Sequence, residues 1–409
     1  MPGMEGRLLT VFGATSFVGQ ILTRYLYGRF GTDGDLRWAI AGRSEAKLRK
    51  LHASLYPKAT KLPIIVANAA DEESLRMMCG ETRVVVSTVG PYALYGEPLV
   101  NVCAATGTDY CDLAGEAQWI RRMIRKYEGA ARHSGARIVH CCGFDSIPSD
   151  LGVHFLQQLA MQKYGKTCPR VKLRVKAMRG GASGGTIASI LNIVKEASAD
   201  PEVRRELANP YSLCPEGYTP QLRQPNVSLA EYDSDFKSWI SPFVMAAINT
   251  RIVQRTNALS KQAYGADFRY DEAVLSGDGF KGRAAATSVG AGLGAFMAAA
   301  AIPPTRWVLE RFLPAPGEGP TPDQQRNGFF DIRILGRTSD DRTLQVKVTG
   351  DNDPGYGSTG KMLGQAAACL ALDMSKAKTP GGFWTPATIF GDRLIERLIT
   401  YSGVRFEVV

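Results

Sequence analysis

Gly13 and Gly19 bracket Ser16 in the stretch LLTVFGATSFVGQILTRYL, Leu8 to Leu26. An apolar run precedes them and a helical pattern follows. A glycine after a buried strand permits a sharp bend, and a glycine at the head of the next helix lets that helix pack close. The free amides at such a helix start bind anions. The spacing suits the pyrophosphate of a dinucleotide in a G-x-x-S-x-x-G turn. Ser16 stands where a second glycine is usual; its small hydroxyl leaves room for a phosphate and can donate to it.

The second apolar run ends AGRSEAK, placing Arg43 and Ser44 at its tip and Lys47 one turn on. Sites that select NAD carry an acid there, whereas a guanidinium suits a 2′-phosphate. NADP is therefore the expected cofactor. The fourth run, VVVSTVGPYALYGEPLV, puts Thr88, Val89, Gly90 and Pro91 in a loop over the crevice where a nicotinamide would lie. Tyr92 and Tyr95 follow. Either can cover the ring or pass a proton, or the two can simply pack as an aromatic pair. Asp145, in CGFDSIPSDLG, is a candidate for organising the site; capping a helix near Ser149 is the alternative. GYGSTGKM, Gly355 to Met362, matches a phosphate-loop pattern, but Met362 stands where a hydroxyl must ligate magnesium. A rim loop is expected there, not a triphosphate site.

Composition closes off other chemistries. The eight cysteines include no C-x-x-C and the four histidines are isolated, so neither a metal site nor a disulfide framework is expected. Cys141 and Cys142 read as core. The net charge of +10 favours anionic partners such as phosphates, membrane surfaces or acidic carrier proteins. RRMIRK, Arg121 to Lys126, reads as a solvated helix face, and no nucleic-acid motif is present. Met1 to Gly6 shows no signal-peptide pattern, so the cytoplasm is the expected location.

These residues need a scaffold, and the first 150 residues supply strand–helix alternation. Strands are read at Leu8–Phe12, Arg37–Gly42, Leu62–Ala67, Arg83–Gly90, DYCDL and ARIVHCCG. Helices are read over Phe17–Phe30, Ser44–Leu55, a stretch after Asp71, Glu97–Ala105 and Glu116–His133. Continuous apolar strands between helices imply a doubly wound parallel α/β sheet. A strand at Arg170–Met178 leads through RGGASGGT into a helix over Ile187–Ala197, and residues 200–280 read as irregular. Strands return at FFDIRILG and TLQVKVTG, followed by helices over Lys361–Asp373 and FGDRLIERLITYSG. From Ala284 to Thr305 no residue is charged. That length suits a membrane span, but its Ala/Gly composition reads better as a buried or interfacial helix, with Gly290 and Gly294 spaced for close packing.

GATSFVG, AGRS, VSTVGPYALYGEPLV, GTDYCDLAGE, CGFDSIPSDLG, SGGT, GDNDPGYGSTGKMLGQAAACLAL and GGFWTPA together resemble the saccharopine dehydrogenase-like oxidoreductases, and within them the bacterial trans-acting enoyl reductases. The resemblance runs from residue 7 to about 400. It implies an NADP-binding Rossmann domain (1–150), a second α+β substrate and dimerisation domain (151–350, containing the apolar 284–305 segment), and C-terminal helices returning to the first domain (351–409). The nucleotide turn carries over to Gly13, Thr15, Ser16, Phe17, Val18 and Gly19, the 2′-phosphate site to Arg43 and Ser44, and an adenine contact to Asn68. The amino-diacid site of saccharopine reductases does not carry over, since Ala93 and Leu94 follow Pro91-Tyr92 with no histidine. The expected activity is NADPH-dependent reduction of a carbon–carbon double bond in a free or carrier-bound acyl chain, with Tyr92 or water giving the proton and Asp145 organising the site. An imine or carbonyl reductase, and a non-catalytic cofactor-binding lipid-surface protein, stay as alternatives. A homodimer and a peripheral lipid contact are further expectations.

Overall fold

A computed structural model of the chain describes residues 7–55, 61–181, 184–218, 220, 222–312 and 319–409. The N-terminal part forms a sheet from β1 (Arg7–Phe12), β2 (Trp38–Gly42), β3 (Ile64–Val66), β4 (Thr82–Ser87), β5 (Asp109–Cys111) and β6 (Arg137–Val139). The order is β6-β5-β4-β1-β2-β3, and every pairing is parallel. Residues of β1, β2, β4, β5 and β6 such as Leu9, Ile40, Val84, Tyr110 and Ile138 are fully buried, as strands covered by helices on both faces require. The order reverses between β1 and β4, so their carboxyl ends open a crevice.

The second sheet comprises β7 (Arg170–Arg179), β8 (Glu231–Asp233), β9 (Ser238–Pro242), β10 (Arg269–Gly277), β11 (Phe329–Arg337) and β12 (Thr343–Gly350). Only β7 and β10 pair in parallel; the rest of this sheet is antiparallel. Along β11 and β12 buried and half-exposed residues alternate, the mark of a sheet with one covered face. Helix Ile147–Tyr164 covers that face, with Gly152 seated against Ile334 and Val348. One continuous core includes Leu9 and Val84 of the first sheet and Leu173 and Val346 of the second, so the two units are packed together.

Three expectations need correction. Residues 200–280 are not simply irregular: helix Pro201–Ala208, β8, β9, helix Ala246–Leu259 and β10 occupy about half of them. The prolines and polar residues there have structural uses. Pro201 opens its helix behind the Asp200 cap. The 246–259 helix buries Asn249, Arg251, Gln254, Arg255, Thr256 and Asn257, so its polar pattern hid a core element. Residues 351–409 are not only helices. β13 (Gly382–Trp384) extends the first sheet beyond β6, and β14 (Val404–Val408) extends the second beside β12. Finally, β6 stops at Val139, because Cys141 adopts φ 60° and turns the chain. Cys141 and Cys142 are nonetheless buried free thiols, as read.

The 284–305 segment forms most of helix Gly279–Ala301 and the start of helix Pro303–Phe312. It is largely exposed rather than buried, with Val289, Met297 and Ile302 open to solvent. Among the described residues, the first of these helices is the one long and apolar enough to cross a bilayer. The basic RRMIRK cluster is exposed, but Arg122 pairs with Glu196, Arg125 with Glu206 and Lys126 with Glu97.

Candidate functional site

The glycine turn is tight on every side. Gly13 has φ +82°, and a Cβ there would lie 2.7 Å from Val89 Cγ2. A Cβ on Gly19 would lie 2.1 Å from the Gly13 carbonyl oxygen, so helix Phe17–Phe30 approaches β1 closely only because that residue is glycine. Ser16 caps this helix. Its Oγ accepts from the Gly19 amide at 2.9 Å and donates to Thr88 Oγ1 at 3.0 Å. Thr88 Oγ1 in turn donates to the Gly13 carbonyl at 2.9 Å. The serine hydroxyl is thus engaged in shaping the turn. The amides of Phe17 and Val18 head the helix with no preceding helical carbonyl to pair with, and they are the groups suited to the pyrophosphate.

At the tip of β2, Ser44 caps helix Glu45–Ser54 by accepting from the Lys47 amide at 3.4 Å. Arg43 is exposed and makes no ion pair among the described residues, so its guanidinium is free for a 2′-phosphate. Thr15 sits half-buried beside Gly42. Asn68 uses its side-chain oxygen to accept from the Ala70 amide at 3.2 Å. Its amide NH2 group lies at the exposed end of β3.

Beyond the turn lies a cavity of 380 Å³. Ser16, Phe17, Val18, Thr88, Gly90 and Pro91 form its nucleotide side. Leu113, Ile190, Ile193, Leu207, Met245 and Ile248 form the opposite apolar wall. Gly355, Tyr356 and Thr359 close the rim, and the Phe17 ring packs edge-on against Tyr356 at 5.1 Å. The glycine-rich GYGSTGKM loop therefore serves as a rim; Lys361 is committed to Asp351 at 3.2 Å. Among the described residues, Asp145 supplies the one carboxyl group lining the cavity.

Asp145 is not a helix cap. The 147–164 helix follows Ser146 and carries no side-chain cap bond. Burial, with Asp112 and Glu116 close by, pushes the Asp145 carboxyl up to about 7. Glu116, between Gly115 and Ala117 of the lining, is buried and also pushed up to about 7, mainly by burial. It accepts from Ser189 Oγ at 3.2 Å and from the Ala93 amide at 3.4 Å, while its Oε2 has no hydrogen-bond partner. Tyr92 lines the cavity with its ring, but its hydroxyl donates to the Ser87 carbonyl at 3.0 Å and accepts from the Leu113 amide at 3.2 Å. That tie fixes the ends of β4 and β5 together. Burial, first of all, raises its pKa well above the ordinary tyrosine value. Tyr95 is exposed and does not line the cavity.

Sequence reading missed Glu116 and the pair behind it. His140 Nδ1 lies 2.8 Å from Asp112 Oδ2, which also accepts from Tyr110 at 2.9 Å. The acid in DLAGEAQW, directly after a short strand, was the available signal for Glu116. Among the described residues no cluster of His, Cys, Asp and Glu suits a metal ion.

Residues 9–139 match the saccharopine dehydrogenase NADP binding domain. A putative trans-acting enoyl reductase of Mycobacterium tuberculosis is 40% identical over 404 residues, covering 95% of this chain and 94% of the relative. A trans-acting enoyl reductase of Mycobacterium ulcerans is 37% identical over 403 residues, with 95% of each chain covered. Among solved structures, the apo saccharopine dehydrogenase of Saccharomyces cerevisiae shares the fold, with a TM-score of 0.52 at 13% identity over 98% of this chain and 99% of that one. The chain belongs to the trans-acting enoyl reductase family, NADP-dependent oxidoreductases built on a saccharopine dehydrogenase-type NADP-binding domain.

Proposed function

We propose that the chain reduces a carbon–carbon double bond in an acyl or polyketide-like chain, free or held on a carrier. The observation that carries this reading is the cavity wall. Among the described residues it has no lysine, arginine or histidine, and Asp145 is its only carboxyl group. An amino-diacid would bring carboxylates into that space with no cation to meet them, at a prohibitive cost. An apolar enoyl chain meets Ile190, Ile193, Leu207 and Ile248 instead.

The glycine turn would hold NADPH, which would supply a hydride to the carbon β to the carbonyl. The turn amides would hold the pyrophosphate, and Arg43 with Ser44 would hold the 2′-phosphate. Thr88 to Pro91 form the shelf beneath the reacting carbons. Asp145, protonated near neutrality, gives its proton to the carbon next to the carbonyl, and the Ser189–Glu116 pair keeps a second proton close by. Tyr92 positions this shelf through Ser87 and Leu113 and keeps its own proton. The test follows NADPH oxidation with an enoyl thioester across pH. Activity that falls as pH rises through about 7, and loses that limb in Asp145→Asn, supports the reading. A full rate in Asp145→Asn would remove Asp145 from the chemistry.

A further inference from the structure

A second chamber, of 920 Å³, adjoins the first cavity, and the two share Leu207, Val244 and Ala247 as lining. It lies between helices Ala246–Leu259 and Gly279–Ala301, with residues 222–229 along one side. Gly290 and Gly294 face it. A Cβ on Gly294 would meet nothing within 4 Å, so this glycine opens space into the chamber, whereas Gly290 packs beside Pro242 and Leu229.

The chamber wall is mixed, and its polar members are unevenly paired. Asp271 is committed to Arg174 at 2.7 Å. Glu272 accepts from the Tyr270 hydroxyl at 2.6 Å and from the Asn249 amide at 2.9 Å. Arg251 is buried, with 6% of its surface exposed, and has no carboxylate partner among the described residues. It donates to the Ala247 and Leu207 carbonyls and to Ser212 Oγ. Burial alone pushes its guanidinium down to about 10. Three neutral acceptors do not balance a desolvated charge. One turn along, Gln254 is 1% exposed and its Nε2 has no hydrogen-bond partner. A buried cation without a counter-ion and a buried amide donor without an acceptor thus line the same space, next to the cavity of the proposed reaction.

We propose that this chamber binds one end of the acyl substrate through an anionic oxygen group, a carboxylate or a phosphate, held by Arg251 and Gln254. The proposal rests on the enoyl-reductase reading for which molecule enters. The anion has two sources: a carboxylate at the tail of the chain, or the phosphate of a phosphopantetheine arm on the thioester side.

Calorimetric binding to the full-length protein separates them. Three trans-2-dodecenoyl thioesters serve as probes: a neutral N-acetylcysteamine ester, its tail-carboxylated counterpart, and a 4′-phosphopantetheine ester. One anionic probe should bind about tenfold or more tightly than the neutral one, the scale of a charge-assisted hydrogen bond. Preference for the tail carboxylate places the tail in the chamber, and preference for the phosphate places the arm there. Arg251→Gln should abolish the preference with NADPH affinity unchanged. Gly294→Phe, which fills the chamber without touching Arg251's bonds, should weaken the preferred probe by about tenfold or more, an independent check should Arg251→Gln fold poorly. Equal affinity for all three probes, or a preference that survives both variants, would overturn the proposal. Probes that bind with the stated preference but draw no NADPH oxidation would instead refute the enoyl-reductase reading and leave the anion site standing.

Discussion

Asp145 and Glu116 are carboxyls that burial holds close to neutrality at one end of an apolar cavity, and each makes a separable claim. Asp145→Asn removes the proton while keeping the shape, so kcat should fall about 10²-fold or more with NADPH affinity retained. Stopped-flow NADPH oxidation and fluorescence titration read the two quantities. Tyr92→Phe removes the tie between the Ser87 carbonyl and the Leu113 amide. Its expected cost is about 1 kcal/mol of stability, with the alkaline limb of the pH profile intact. A Tyr92→Phe enzyme lacking that limb would make the tyrosine the donor. At the other end of the cofactor site, Arg43→Ala should weaken NADPH by about tenfold or more while leaving NADH affinity little changed, because only the former carries the 2′-phosphate.

At the scale of elements, the turn between β1 and its helix is the most constrained piece. Alanine normally favours a helix over glycine by about 1 kcal/mol. At position 19 the added Cβ would sit 2.1 Å from the Gly13 oxygen, so sterics decide the sign. Gly19→Ala should lose NADPH binding and lower the thermal midpoint. This part of the site was legible in the sequence, because a bend, a close helix approach and a free helix start each demand a particular residue type at fixed spacing. The strand–helix alternation to residue 150 was legible for a similar reason: buried parallel strands are continuous apolar runs. What escaped was carried by long-range contacts. The 246–259 helix buries a polar face, β13 and β14 are short and pair with strands far away in sequence, and Glu116 gains its character only when Ser189 and the Ala93 amide close over it. Ser16 sits in the turn, and its hydroxyl serves the helix cap and Thr88, a role that spacing alone does not reveal.

For the whole molecule, buried acids couple stability to pH. Asp145, Glu116 and Asp150 are all raised to about 7 by burial, whereas unfolded carboxyls titrate near 4. A raised pKa means the folded chain holds the proton more tightly. The stability these groups contribute is full below about pH 4 and is lost as pH rises through about 7. Urea midpoints should therefore fall from about pH 5 to about pH 8, less so in Asp150→Asn, whose carboxyl accepts from Thr256 Oγ1 and the Ala387 amide far from the cofactor turn. Both sheets share one core, so this change should appear as a single transition. The cavity wall offers no lysine, arginine or histidine among the described residues, which in the proposed reading favours an acyl substrate over an amino-diacid. The most direct measurement is NADPH oxidation by the purified chain with a trans-2-enoyl thioester, run beside a 2-oxoacid plus an amine. Turnover of the thioester alone is the expected result. Turnover of the oxoacid and amine, with none of the thioester, would contradict the proposed function.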